Sequence, residues 1–379
     1  MLRIGITGQA GFVGTHFYNT LGLQPEKYSR IPFEDAFFKD NKKFEEWVSQ
    51  CDVIVHLAAL NRHNDPQVIY ETNTSLVNQL IAALEKTKSI PHILFSSSIQ
   101  EEGDNLYGKS KKEGRELLET WASKNSAQFT GFIIPNVFGP FGHPYYNSVI
   151  ATFCHQLTHN EQPRIDVDGE LKLIFVAELV QHFIDRIEYV NQNHKKDFVI
   201  NTLRLQHTSQ AKVSTILEIL ESYKANYFEK GEIPSLDNPF HRNLFITFLC
   251  YIEHKSFFPF KLKKNTDNRG TFVEAIKLNS GGQVSFSTSV PSIIRGNHFH
   301  TRKAERFMVI KGKALIELRR IGTNEVLSFE LDGEKPSFVD MPIWYTHNIK
   351  NIGNEELYTI FWINEHFDIS DPDTYFEKV

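Results

Sequence analysis

The first fourteen residues, MLRIGITGQAGFVG, constrain the fold more than any other stretch. Leu2 to Thr7 is an apolar run of strand length. Gly8, Gly11 and Gly14 follow at the spacing G-x-x-G-x-x-G, and a helix pattern starts at Phe12. The first glycine permits a tight turn, the second lets backbone approach a pyrophosphate, and the third lets helix pack on strand. The helix N-terminus then presents free N–H groups and a positive dipole end to phosphate. Gly8, Gly11, Phe12, Val13 and Gly14 are therefore read as a dinucleotide-binding turn.

The 379 residues exceed one ordinary core, so two domains are expected. With 41% hydrophobic and 23% charged residues, the composition is that of a soluble globular protein. The net charge of −5 gives no electrostatic reason to expect nucleic acid. Cys51, Cys154 and Cys250 are few, odd in number and far apart, which argues for a reducing compartment. The chain opens directly in a core strand, so no signal peptide is expected. No apolar run approaches the ~20 residues of a membrane helix, so no membrane insertion is expected and a cytoplasmic protein is.

A second strand is expected around Glu26 to Arg30. An acid at its end would bind the 2′-hydroxyl of NAD, and a base the 2′-phosphate of NADP. Arg30 stands there, and no acid follows until Glu34, which favours NADP. Asp52 to Leu60 reads as a buried strand whose Leu57, Ala58 and Ala59 allow a cofactor to lie close. A helix over 66–86 and a strand HILFSSS over 92–98 follow. Alternating strands and helices predict a parallel, doubly wound sheet with ligands beyond the strands' C-terminal ends, where Ser98 falls. Tyr107 and Lys111 then share one helix face at i and i+4. A free phenol has a pKa near ~10, and a neighbouring ammonium lowers it. Tyr107 can protonate a carbonyl oxygen while hydride reaches its carbon, with a serine hydroxyl on the same oxygen.

Helices are expected over 147–159, 178–191, 208–228 (capped by Thr208 or Ser209) and 241–254, with a short strand over 198–201. At 255–270 the chain becomes aromatic and basic, then polar, which sets a join at 252/253. Thereafter short strands are expected over 271–278, 283–289, 306–311, 314–319, 326–331 and 337–341, a pattern of an antiparallel barrel or sandwich. His298 and His300 share one side of a strand. Glu305 and the distant His347 complete three imidazoles and one carboxylate, a set suited to Zn²⁺ or another divalent transition ion.

The motifs TGQAGFVG, HLAA, FSSS, YGKSK and PNVFGP resemble, in order, those of extended short-chain dehydrogenase/reductases acting on nucleotide sugars. The resemblance implies a catalytic set of Ser98, Tyr107 and Lys111, with Lys111 also on the nicotinamide ribose and Ser97 as the alternate for Ser98. Asn73 matches a buried structural Asn. Asn136, Asn147 and Ser148 match positions beside the sugar nucleotide. Ile99-Gln100 stands where 4,6-dehydratases carry Asp-Glu, which argues for carbonyl reduction. In the C-terminal half, H-x-H-x₄-E-x₆-G and P-x₄-H-x₃-N resemble the two cupin motifs, with Trp344 where the second usually has Gly.

Asp267, Arg269, Gly270 and Glu274, with Arg295, Gly296 and His298, also resemble deoxysugar 3,5-epimerases. In those enzymes the residue matching His298 is the base. The ligand role is preferred here, because His300 and Glu305 complete it; Lys303, Tyr345 and Glu274 are then candidate bases. Together the halves resemble bifunctional nucleotide-sugar enzymes of capsule and O-antigen synthesis, in the UDP-N-acetyl-L-fucosamine pathway. The expected architecture is an α/β Rossmann-type reductase over 1–252 and an all-β jelly-roll cupin over 253–379, as a homodimer. The resemblance implies C3 epimerisation of a UDP-4-keto-2-acetamido-2,6-dideoxyhexose and NADPH reduction at C4 to UDP-2-acetamido-2,6-dideoxy-L-talose. The alternatives are a single-activity ketoreductase or epimerase with a structural cupin, and a non-enzymatic NADP-sensing regulator.

Overall fold

The computed structural model describes residues 1–193, 199–268, 270–273 and 275–379. Phe198, Arg269 and Glu274, named above for a strand, an epimerase-like motif and a candidate base, lie outside the described residues. Contacts divide the chain into two compact units, 1–149 with 169–212 and 150–168 with 213–379. The join expected at 252/253 marks the change from mixed to all-β sequence. Contacts group differently, because the helices over 213–223 and 239–249 fall within the second unit.

In the first unit, strands β1 (Leu2–Thr7), β2 (Tyr28–Ile31), β3 (Val53–His56), β4 (His92–Ser98) and β5 (Phe129–Ile134) are joined by helices α1 (Phe12–Leu21), α2 (Asn41–Gln50), α3 (Pro66–Thr87) and α4 (Leu106–Asn125). With Ile200–Arg204 they form a six-stranded parallel sheet, ordered β2-β1-β3-β4-β5 and then Ile200–Arg204. Alternation along each strand splits the core in two. Ile54, Ile93 and Phe95 face Trp47, Val77, Leu80 and Trp121 of α2, α3 and α4. Val53, Val55 and Leu94 face Phe17 and Leu21 of α1 and Phe183 of the Val176–Asn193 helix. Strand order reverses between β1 and β3, so the crevice beyond them opens over the glycine turn. The expected 208–228 helix begins only at Val213. Ser209–Lys212 is a strand paired with Glu170–Leu173, and the Thr208 hydroxyl bonds Glu178 instead of capping a helix.

The second unit holds two antiparallel five-stranded sheets. One runs Phe260–Lys261, Ser337–Met341, Glu305–Lys311, Leu357–Ile363, Gln283–Ser289, and the other Val326–Asp332, Lys313–Arg320, Tyr345–Asn351, Ile294–Phe299, Tyr375–Phe376. The strand expected over 271–278 is split into Gly270–Phe272 and Lys277–Leu278. Arg306 and Asp340 lie opposite each other across two strands and pair at 2.8 Å, both buried. Arg306 also donates to the Gly231 carbonyl (2.6 Å), and its guanidinium lies 3.5 Å over the Phe338 ring. The buried Tyr227 hydroxyl donates to Asp340. This buried network fastens the 224–231 segment onto the sheet.

Among the described residues no helix is long and apolar enough to cross a membrane. Asp340→Ala would leave the Arg306 guanidinium buried without its counter-charge. The expected loss is about 3–5 kcal/mol, read as a lower urea midpoint for the second unit.

Candidate active site and candidate metal centre

The turn after β1 has the geometry its glycines require. Gly8 has φ +68, and a Cβ there would sit 2.9 Å from the Ala58 nitrogen; at Gly14 a Cβ would meet the Gly8 carbonyl at 2.2 Å. Both positions exclude a side chain. Phe12 and Val13 open α1 immediately after Gly11. The Thr7 hydroxyl bonds His56 Nδ1 (2.9 Å) and accepts from the Ala58 N–H (3.3 Å), which holds Leu57, Ala58 and Ala59 beside the turn. The Gln9 side chain accepts from the Phe33 N–H (3.0 Å) and ties the turn to the end of β2. Arg30, expected at a 2′-phosphate, is directed elsewhere. Its guanidinium lies 4.4 Å over the Tyr18 ring and donates to the Tyr18 carbonyl, in the half of α1 away from the glycine turn.

Ser98 ends β4, half-buried, and its hydroxyl accepts from the Gln100 N–H (3.2 Å). The adjacent Ser97 is committed to Glu101 (2.5 Å), which Arg115 grips at 3.1 Å. Ser96 and Ser98 share a side of the strand, and Lys111 Nζ reaches Ser96 Oγ at 3.4 Å. That places Ser98, rather than Ser97, on the Lys111 side. Asn105 caps α4 through the Gly108 N–H (2.7 Å) and so sets Tyr107 and Lys111 in its first two turns. Asn73 bonds Leu60 and Ser110, a structural tie between α3, α4 and the loop after β3.

Burial raises the Tyr107 phenol to about 12, with a smaller contribution from Tyr146. Burial lowers Lys111 to about 7, with its Nζ over the Phe95 ring at 4.7 Å. Burial thus raises the phenol, in the opposite sense to the lowering a neighbouring ammonium would give. Tyr107 is a protonated donor near neutral pH. Asn136 is exposed and bonds the Lys172 carbonyl (3.3 Å), Asn147 is exposed, and Ser148 is half-buried just before the Val149–Thr158 helix. Arg62 binds the Tyr145 and Tyr146 carbonyls (2.6 and 2.9 Å), and Tyr146 Oη accepts from the Asn61 N–H.

In the second unit His298, His300, Glu305 and His347 converge, with one ligand atom from each within 4.8 Å of the others. A bulge at Gly296–His298 sets His298 directly across from His347. His300 Nδ1 lies 2.5 Å from the Asp373 carbonyl and His347 Nδ1 3.2 Å from that of Tyr345. A ring donating its Nδ1 proton presents a bare Nε2. Both Nε2 atoms lie 3.1–3.2 Å from Glu305 Oε2 without hydrogen-bond geometry. Lone pairs thus face lone pairs in a dry interior, an arrangement a cation relieves. Burial holds His298 near 4, neutral and able to ligate.

Trp344 has φ +62, so the backbone shape expected of Gly is kept with an indole attached. The ring stacks on Phe299 at 5.5 Å, and the Trp344 main-chain N–H donates to the His300 carbonyl (2.8 Å). The remaining candidate bases are otherwise engaged. Lys303 Nζ is buried on the Pro372 carbonyl (2.8 Å), and Tyr345 packs edge-on to His254 at 5.2 Å.

Residues 4–201 match the NAD dependent epimerase/dehydratase family and residues 265–375 the polysaccharide biosynthesis C-terminal domain. A UDP-2-acetamido-2,6-beta-L-arabino-hexul-4-ose reductase of Pseudomonas aeruginosa is 31% identical, over 99% of this chain and 98% of its own. The crystal structure of the capsular polysaccharide assembling protein CapF from Staphylococcus aureus is similar over the whole of both chains, at 34% identity and a TM-score of 0.62. RMD from P. aeruginosa, solved with NADPH, shares the fold over 59% of this chain and 83% of its own, at 18% identity and a TM-score of 0.51. The chain belongs to the NAD dependent epimerase/dehydratase family, in a form that joins this fold to a polysaccharide biosynthesis C-terminal domain.

Proposed function

We propose that this chain is a bifunctional nucleotide-sugar enzyme of surface-polysaccharide synthesis. It epimerises C3 of a UDP-4-keto-2-acetamido-2,6-dideoxyhexose in a metal-binding cupin, then reduces C4 with NADPH to UDP-2-acetamido-2,6-dideoxy-L-talose. The carrying observation is the presence, in one chain, of a glycine turn after β1, a buried, protonated Tyr107 in the first turn of the helix that follows Ser98, and a separate His₃Glu cluster. The full-length P. aeruginosa relative, named as a reductase of a UDP-linked hexul-4-ose, supports the 4-keto substrate.

The bound nicotinamide supplies hydride to C4. Tyr107 gives its proton to the developing C4 alkoxide, and Ser98 holds the same oxygen by its hydroxyl. Lys111, near neutral pKa, gains charge when the site carries phosphate and ribose, and then assists the phenolate left on Tyr107. Asn136, Asn147 and Ser148 bind the sugar nucleotide. In the cupin, His298, His300, Glu305 and His347 would hold Zn²⁺ or another divalent transition ion, which polarises a carbonyl oxygen and acidifies the α-proton at C3. The protein works as a cytoplasmic homodimer. A second reading, a reductase whose cupin is structural, is favoured by the burial of three of the four ligands.

Tyr107→Phe is expected to lower NADPH oxidation by about 10²–10⁴-fold with cofactor binding retained. Near-normal turnover would remove Tyr107 from the reaction. Wild-type kcat/KM should favour NADPH over NADH, since no acid stands at the end of β2. Arg30→Ala should leave that ratio unchanged, because its guanidinium is held at Tyr18. His300→Ala is expected to lose the metal and stop deuterium entering C3 from D₂O while NADPH still binds. Metal without any C3 exchange in the wild type would establish the structural reading of the cupin.

A further inference from the structure

The segment from Glu365 to Phe376 is bound to the turn after His300 by an unusual concentration of polar contacts. The Asp373 carbonyl accepts from His300 Nδ1 at 2.5 Å. Its carboxylate accepts three successive main-chain N–H groups, from Thr301 (3.1 Å), Arg302 (3.0 Å) and Lys303 (3.2 Å), and the Thr301 hydroxyl at 2.6 Å. Asp373 is only 2% exposed and adopts a left-handed backbone, φ +40, that turns its two oxygen-bearing groups toward the same strand end. Around it, Lys303 Nζ holds the Pro372 carbonyl (2.8 Å), and Arg302 pairs with Glu365 (3.1 Å) and Asp371 (2.8 Å). Immediately beyond, Tyr375 and Phe376 pair with Phe299 and His298. One short segment therefore fixes the strand that carries His298, the turn after His300, and the tautomer of His300.

An imidazole is a metal ligand only through a nitrogen without a proton. Its affinity depends on a partner that keeps the other nitrogen protonated and the ring aimed. We propose that Asp373 is the positioning residue of the metal centre: its carbonyl sets His300 with Nε2 facing Glu305, and its carboxylate locks the 301–303 backbone so that this carbonyl cannot turn away. The proposal rests on the metal reading given above. It goes beyond that reading by assigning metal affinity to a residue that ligates nothing.

The test is competition for Zn²⁺ between the full-length protein and a chromophoric chelator, with Co²⁺ absorption as a second readout. Wild type should take up Zn²⁺ stoichiometrically. Asp373→Ala should raise the dissociation constant about 10- to 100-fold and change the Co²⁺ d–d bands, which report ligand geometry. Asp373→Asn, which keeps an acceptor oxygen, should recover part of the loss. Thr301→Val, which removes one bond to the carboxylate, should weaken binding severalfold. Asp368→Ala, on the same segment but bonded, among the described residues' side chains, only to Ser370, should behave as wild type. Wild-type affinity and spectrum in Asp373→Ala and Thr301→Val would overturn the proposal and leave the metal reading intact. Absence of stoichiometric Zn²⁺ from wild type would overturn both. If Asp373→Ala does not fold, Asp373→Asn and Thr301→Val decide by the same criteria.

Discussion

Glu305 and Arg306 are consecutive, oppositely charged and both buried, on the central strand of a five-stranded sheet. The pleat sends them to opposite faces, so they cannot neutralise each other. Each needs its own partner, because an unpaired buried charge costs several kcal/mol. On one face Arg306 is answered by Asp340, Tyr227 and Gly231, which draws the 224–231 segment over the sheet. On the other face Glu305 converges with His298, His300 and His347, a set in which a bound cation would answer its charge. The architecture of the second unit follows from these two solutions: a covering segment outside and a ligand set inside.

In the first unit the ruling constraint is close approach. Gly8 and Gly14 leave no room for Cβ atoms, so β1, α1 and the end of β3 meet backbone to backbone. The same economy recurs at Gly108, where a Cβ would fall 1.9 Å from the Gln100 carbonyl. That contact seats α4, with Tyr107 in its first turn, against the turn after β4. Burial then sets the chemistry. It keeps the Tyr107 phenol protonated and brings Lys111 down to about 7, so the amine titrates near neutral pH.

Much of this was legible in the sequence because the signals were local. Apolar strands of fixed length gave the parallel sheet, and HILFSSS matches β4 residue for residue. The His₃Glu set was readable because His298 and His300 are two residues apart at one strand end and the others follow motif spacing. Less legible were elements decided by distant partners. Ser209–Lys212 reads as the start of a helix but takes up the free edge offered by Glu170–Leu173. The strands Ile294–Phe299 and Tyr345–Asn351 are polar or interrupted at Gly296-Asn297, so alternation hid them. Arg30 stood at the expected place in the chain, yet the Tyr18 ring and carbonyl lie within its reach and take its guanidinium. Glu101, Gln9 and Asp373 were assigned no role from the sequence; each matters through what it holds.

The bond between His300 and Asp373 spans a sequence separation of 73 residues. A contact of that separation forms only after the intervening strands have closed, because the loop entropy must first be repaid by their pairing. His300 is thus free to rotate and to exchange its ring proton in any partly folded chain. The ligand set becomes a high-affinity chelator only at the end of folding. If the cluster binds an ion as proposed, a nascent or damaged molecule would let it go, and occupancy would double as a record that the two sheets had closed.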